Sequence, residues 1–282
     1  MPDSGLETIK CPICNSECSP LFEVNIFGSR TEMLFMCRNL DCEHVFYHQP
    51  NWLDFAHSSS ISILDCGAVR RSLLNSLFLA TLLFFCRKYP SSYRHVDYGA
   101  STGLLVRILR DLSIESLWHD PYSQNIYSQG FEYVAQGQIN VVTAFEVLEH
   151  IPNPHKKFGE LLRKSKPEIV VLQTQLTPNK VSSQWDYLQT LSGQHVSFFS
   201  LKSLSKFMNT YGFSIHRVGS RIVCISQMTP PVRSALVIAI AHIARSLSIL
   251  FFIKYLFSTT QIKKDYLYLK KHLRSRIASQ SH

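Results

Sequence analysis

The chain has 282 residues, 45% hydrophobic and 17% charged, a balance that excludes an intrinsically disordered protein. That length holds one α/β domain of roughly 150–200 residues with smaller additions. The opening residues MPDSGLETIK are polar, so no secretory signal is expected, and a reducing cytoplasmic setting follows for the eight cysteines. The net charge of +9 belongs mostly to the tail, where residues 229–282 hold nine Lys or Arg against Asp265 alone.

Residues 8–50 carry Cys11-Pro-Ile-Cys14 and Cys37-Arg-Asn-Leu-Asp-Cys42 among turn residues. Each pair presents two thiolates from a tight turn, and four thiolates complete a tetrahedral Zn2+ site with no open position, hence a structural one. Cys18, His44 and His48 are spare donors. Residues 51–68 are Ser-rich and read as a linker. From 69 to 228 short apolar runs alternate with helix-like segments, the pattern of an α/β sheet. Helices are expected over 70–89 (ended by Pro90), 104–112, 155–164 and 201–211, the last closed by Gly212. Strands are expected over 93–98, 114–119, 139–146 and 168–173, and over 213–218 and 221–227 around a Gly219-Ser220 hairpin turn. A parallel sheet that ends in an antiparallel hairpin differs from a simple doubly wound dehydrogenase domain.

The segment His95-Val-Asp97-Tyr-Gly99-Ala100-Ser101-Thr-Gly103 runs from strand into helix. Glycines there permit a tight turn and close backbone approach to a ligand at the helix N-terminus. Ser101 and Leu104 break the dinucleotide fingerprint G-x-G-x-x-G, which disfavours NAD and FAD. Asp120, at the end of the second strand, is placed to accept hydrogen bonds from ribose hydroxyls. Gly99 to Gly103 also match G-x-S-x-G, a hydrolase elbow with Ser101 as nucleophile, for which Asp186 and His195 would have to complete a triad. The loop by itself leaves both readings open.

Two further segments, Phe145-Glu146-Val-Leu-Glu149-His150-Ile-Pro-Asn-Pro154 and Gln194-His195-Val-Ser-Phe-Phe-Ser200, complete a set in order and spacing. Over about 93–228 the set resembles class I S-adenosylmethionine-dependent methyltransferases, which have a Rossmann-like seven-stranded sheet ending in a hairpin. With the cysteine module in front, a zinc ribbon by its spacing, the chain is similar to bacterial sugar and polysaccharide-cluster methyltransferases. The resemblance implies a donor site of Asp97, Gly99, Ala100, Ser101, Gly103, Asp120 and Phe145. It also implies a saccharide or lipid-linked saccharide acceptor. His195 is then the expected base, since an imidazole accepts a proton near neutrality, with Glu146 as its catalytic companion. Ser101 replaces a glycine usual in the first motif, Asn140 stands in place of Asp, Gln194 in place of Glu, and the 120–139 interval is short. Alternatives are an RNA methyltransferase, which the three basic residues of 8–50 (Lys10, Arg30, Arg38) do not favour, and a non-catalytic membrane-associated scaffold.

The last stretch, 229–282, is read as a basic, apolar helical tail. Residues 234–253 are apolar apart from His242, Arg245 and three serines, and Lys263 to Arg276 form a basic strip. An in-plane helix on an anionic membrane surface through 233–276, peripheral to the inner face, is expected, against packing on protein as the alternative.

Overall fold

A computed structural model of the chain describes residues 8–56, 67–86, 93–257 and Tyr268, with the side chains of 247–257 outside that description. In chain order the elements are β1 (Cys18–Ile26), β2 (Arg30–Cys37), β3 (Val45–Tyr47), α1 (Leu53–Ala56), α2 (Ala68–Phe85), β4 (Arg94–Tyr98), α3 (Leu104–Asp111) and β5 (Glu115–His119). Then follow β6 (Val141–Phe145), α4 (Phe158–Ser165), β7 (Ile169–Gln173), β8 (Ser197–Phe198), α5 (Leu201–Thr210), β9 (Phe213–Val218), β10 (Arg221–Ser226) and α6 (Pro231–Phe257). Every strand expected between 93 and 227 forms within two residues of its expected ends. The helix expected from 155 starts later, at Phe158, because His155 is held by side-chain hydrogen bonds ahead of it. Most of the linker, 57–66, and the expected stop at Pro90 lie outside the described residues.

A mixed sheet of six strands has the order β5-β4-β6-β7-β10-β9. The seventh strand expected is not formed among the described residues. Beyond β5 the chain makes one parallel bridge, Trp118 to Glu132, with Trp118 N–H donating to Phe131 O and Tyr133 N–H to Trp118 O.

Two compact units divide the chain, one of 63–143 with 230–282 and one of 1–62 with 144–229. In the first, β4 runs parallel to β5 and β6, with Asp97 opposite Trp118 and Thr143. Helix α2 is apolar almost all round. Among the described residues it alone is long and apolar enough to cross a membrane, but half of it is buried and it packs on α3 and α6. That suits a core helix. Helix α6 buries Val237, Ile240, Ala241 and Ala244, a stripe at helical spacing, and leaves His242 and Arg245 exposed. The basic strip from Lys263 lies outside the described residues except for Tyr268.

In the second unit, β10 pairs antiparallel with β7 and β9, and Gly219 (φ +66°) makes the hairpin turn. A separate sheet, β1-β2-β3-β8, joins the cysteine-bearing segment to β8. Its apolar face shares one cluster with later residues: Val24, Ile26, Leu34, Tyr47 and Trp52 pack with Tyr187, Leu188, Val196 and Phe198. Residues 18–56 therefore bury their hydrophobic face against 187–198, as a segment too small for its own core must.

Candidate active site and metal centre

The four predicted ligands Cys11, Cys14, Cys37 and Cys42 converge, every sulfur lying within 4.8 Å of the others. Two knuckles present them. Asn15 N–H donates to Cys11 O in one, while Cys42 N–H and the Asp41 N–H bind Asn39 in the other. Cys11 and Cys42 sulfurs are 3.8 Å apart and those of Cys14 and Cys37 3.5 Å. Four sulfurs at about 2.3 Å from a tetrahedral ion sit roughly 3.8 Å apart, so the donor set fits zinc with little movement. The Cys42 thiol, by hydrogen bonding, lowers Cys11 to about 5, which leaves one thiolate ready for a cation. Cys18 turns to Ser16 O instead, His44 is buried beside Ser197, and His48 is exposed.

Later residues hold these knuckles in place, which the sequence did not reveal. His155 Nε2–H donates to Ile13 O (3.1 Å), Ser200 Oγ to Cys42 O (2.6 Å) and Lys202 Nζ to Leu40 O (2.8 Å).

In the other unit the glycine loop has three positive φ angles, at Gly99 (+75°), Ser101 (+48°) and Gly103 (+85°). A Cβ on Gly103 would meet Asn125 Oδ1 at 2.8 Å, so glycine is required there for space as well as conformation. Ser101 bears the steric cost of the left-handed region, on the order of 1 kcal/mol, which explains why glycine is usual at this position. Its N–H donates to Asp120 Oδ2 (2.9 Å) and its carbonyl accepts from Trp118 Nε1 (2.7 Å). Asp120 Oδ1 takes two more backbone donors, Tyr122 N–H and Ser123 N–H. A carboxylate has about four acceptor positions, so one remains on Oδ2 for a ribose hydroxyl. Asp120 thus shapes the loop as well as fitting the role expected of it. Ala100 is buried under the turn.

Asp97 ends a buried polar chain across three strands. Thr143 Oγ1 donates to Asp97 Oδ1 (2.6 Å), and His95 lies between Thr143 (2.8 Å to Nε2) and Ser116 (2.7 Å to Nδ1). Since the Thr143 proton goes to Asp97, its oxygen accepts from His95 Nε2–H, and Nδ1 accepts from Ser116. Burial lowers His95 to about 3, so the imidazole is neutral and has one tautomer that satisfies every group. Burial likewise pushes Asp97 up to about 7, with Asp120 adding to the rise. The fit to the expected donor is chemical: two carboxylates beside a turn of small residues suit a cationic, hydroxyl-bearing nucleoside. His95 and Asp97 share one face of β4, so their i, i+2 spacing was a legible sign of this chain.

The unit of 144–229 contains Phe145, Glu146 and His195. Phe145 ends β6 half-buried. Glu146 follows with φ +55°, a left-handed backbone of the kind that gathers at functional sites. It lines a cavity of about 540 Å³ with Gln173, Thr174, Gln175, Tyr187 and Arg217. His195 is 9% exposed and its Nδ1–H donates to Tyr187 O (2.7 Å), so its lone pair is on Nε2. Burial lowers its pKa, which keeps it unprotonated. Tyr187 OH donates to Glu149 (2.5 Å) and lies 3.5 Å from Glu146. Glu149 and Tyr187 were not assigned from sequence, and Tyr187 carried no motif.

A family profile described as a methyltransferase domain matches residues 70–218, more than half of the chain. The chain belongs to this methyltransferase-domain family and is a methyltransferase. The hydrolase reading of Gly99–Gly103 falls with that match. Solved structures similar to it include magnesium protoporphyrin IX methyltransferase from Synechocystis PCC 6803 with bound SAH (14% identity over 62% of this chain and 93% of that one, TM-score 0.40). Others are a putative O-methyltransferase from Nostoc punctiforme PCC 73102 (17% identity, 64% and 61% covered, TM-score 0.43) and human N-acetylserotonin methyltransferase in complex with SAM (13% identity, 62% and 55% covered, TM-score 0.38). No curated protein matches the chain.

Proposed function

We infer that this methyltransferase transfers the methyl group of S-adenosylmethionine to a small, oxygen-rich acceptor, a saccharide or lipid-linked saccharide. The cavity beside Glu146 carries this reading. Its volume of about 540 Å³ is in the range of small-ligand sites, and Gln173, Thr174, Gln175, Thr177 and Ser220 line it with amides and hydroxyls. With Leu176, Tyr187 and Ile222 beside them, these groups offer a polyol hydrogen bonds for its hydroxyls and apolar contact for its C–H faces. Bound at Asp97–Gly103 and Asp120, the donor supplies a methyl made electrophilic by its sulfonium. The acceptor's activation falls to the Nε2 lone pair of His195, which either takes a hydroxyl proton directly or holds a cation that binds the acceptor. Glu146 faces the same cavity. Structural zinc in the four-cysteine cluster fixes the β1-β2-β3-β8 sheet.

Labelled methyl transfer into fractionated cell extract tests the acceptor class. The label is expected in a saccharide fraction and should survive ribonuclease; a ribonuclease-sensitive product would overturn the acceptor reading. For the donor site, S-adenosylhomocysteine should raise the Tm of the wild type and NAD should not, because a ligand that binds only the native state stabilises it. Asp120→Asn, which keeps only one of the two acceptor oxygens, should lose most of that shift. An unchanged shift would place the ribose contact elsewhere.

The tail is proposed to bring the enzyme to anionic membrane, with Leu236 and Ile243 exposed on α6 and the basic strip beyond it. Flotation with anionic liposomes should lift the full chain at low salt and not a chain ending at Gln227. Equal behaviour of the two would leave α6 as a packing element only.

A further inference from the structure

Glu149, His150 and His195 place one carboxylate and two imidazoles together, their ligand atoms all within 4.8 Å of one another. Glu149 is fully buried. Its Oε1 accepts from Tyr187, while its Oε2 has no hydrogen-bond partner among the described residues. Buried charges are paired or bound to metal, so an ionised Oε2 calls for a cation, whereas a protonated one has the Glu146 carboxylate beside it as an acceptor. Glu146 reaches the same Tyr187 hydroxyl, so a second carboxylate borders the cluster.

The histidines are oriented as metal ligands are. His195 Nδ1–H donates to Tyr187 O and His150 Nδ1–H to Gln194 O (3.1 Å). The bond at His195 fixes its tautomer and places the lone pair on Nε2, the outer-shell arrangement that holds ligating imidazoles, and His150 Nδ1 is engaged by a backbone carbonyl in the same way. The rings stand edge to face with centroids 4.8 Å apart. We propose that Glu149, His150 and His195 bind a divalent cation, with Glu146 at its edge, and that the acceptor's oxygens complete its coordination from the cavity that Glu146 and Tyr187 line.

Two histidines and one carboxylate with open positions suit a first-row ion such as Mn2+, Fe2+ or Co2+. Ligands at about 2.1 Å from one ion lie at most about 4.2 Å apart, so the side chains close slightly on it. The inference deepens the acceptor-site reading and rests on it. It assigns the His195 lone pair to a metal ion, in place of direct proton removal. The four-thiolate cluster cannot be confused with this site, because soft sulfur donors and a harder set of two nitrogens and an oxygen prefer different ions.

The test uses the full, zinc-loaded chain and Mn2+ as probe. Loss of the free Mn2+ resonance should titrate to one ion per chain. His150→Gln with His195→Gln should weaken binding at least about 100-fold, beyond the range seen for outer-shell partners. Co2+ supplies a second readout that needs no variant: it should bind here without the intense thiolate-to-cobalt absorption of the cysteine site. No saturable Mn2+ binding up to millimolar ion, or full binding by the folded double variant, overturns the proposal. Calorimetry of S-adenosylhomocysteine on the same sample separates the two levels. Nucleoside binding without Mn2+ binding overturns the cation site alone, and loss of both overturns the methyltransferase site on which it rests.

Discussion

Cys37→Ser is expected to reduce bound zinc from about one ion per chain to well below one and to destabilise far more than a surface change. Cys37 ends β2 and faces Cys14 across 3.5 Å, so its loss opens the tetrahedron. Zinc binding is worth about 10–16 kcal/mol in small zinc modules, comparable with the entire stability of a domain. The effect should also spread. The knuckle carbonyls at Ile13, Leu40 and Cys42 are held by His155, Lys202 and Ser200, and β3 pairs with β8. Unfolding of β1-β2-β3 would expose the cluster around Tyr187 and Phe198, close in sequence to His195. Metal analysis and urea unfolding of the variant check this together. Full zinc in Cys37→Ser would remove that residue from the ligand set.

The second large effect concerns donor binding and pH. Burial holds Asp97 near 7, whereas an unfolded aspartate titrates near 4. A cationic ligand beside it binds the ionised form, so below pH 7 binding must first release a proton. Affinity for S-adenosylmethionine should therefore be flat above about pH 8 and fall toward tenfold per pH unit below 7, roughly 100-fold weaker at pH 5. Asp120 is the charged neighbour that adds to the rise, and His95, lowered to about 3, stays neutral throughout this window. Asp97→Asn keeps an acceptor for Thr143 while removing the charge. It should bind the donor at least about 100-fold more weakly at pH 8 and lose the pH dependence. A wild-type affinity that does not change between pH 5 and 8 would show that Asp97 is not ionised by the ligand.

Much of this was legible in the residues because it depends on short-range rules. Strand and helix periods placed β4, α3, β5, β6 and β7 within a few residues, and Gly212 with φ +79° ends α5 where a glycine stop was expected. The convergence of the two cysteine pairs was legible too, since each pair's spacing in a turn presents two sulfurs on one side. The six-strand count was not legible in the same way. A missing strand leaves no mark in periodicity, and only the single Trp118–Glu132 bridge shows how little of the 120–139 segment joins the sheet.

What the sequence by itself determined is the local chemistry: the turn at Asp97–Gly103, the acid at Asp120, the four sulfurs and the histidine at 195. Those are properties of neighbours along the chain, fixed by backbone geometry and side-chain type. The tertiary structure alone decided which distant groups meet. It joined Ser116, His95, Thr143 and Asp97 into one directed chain across three strands and fixed a histidine tautomer in doing so. It set Tyr187 against Glu149 and brought His150 and His195, 45 positions apart, into one cluster. It also seated the cysteine module on residues 155–202. The physical reason is that burial and pairing of polar groups depend on non-local packing, which turns a carboxyl such as Glu149 from a surface acid into a buried ligand.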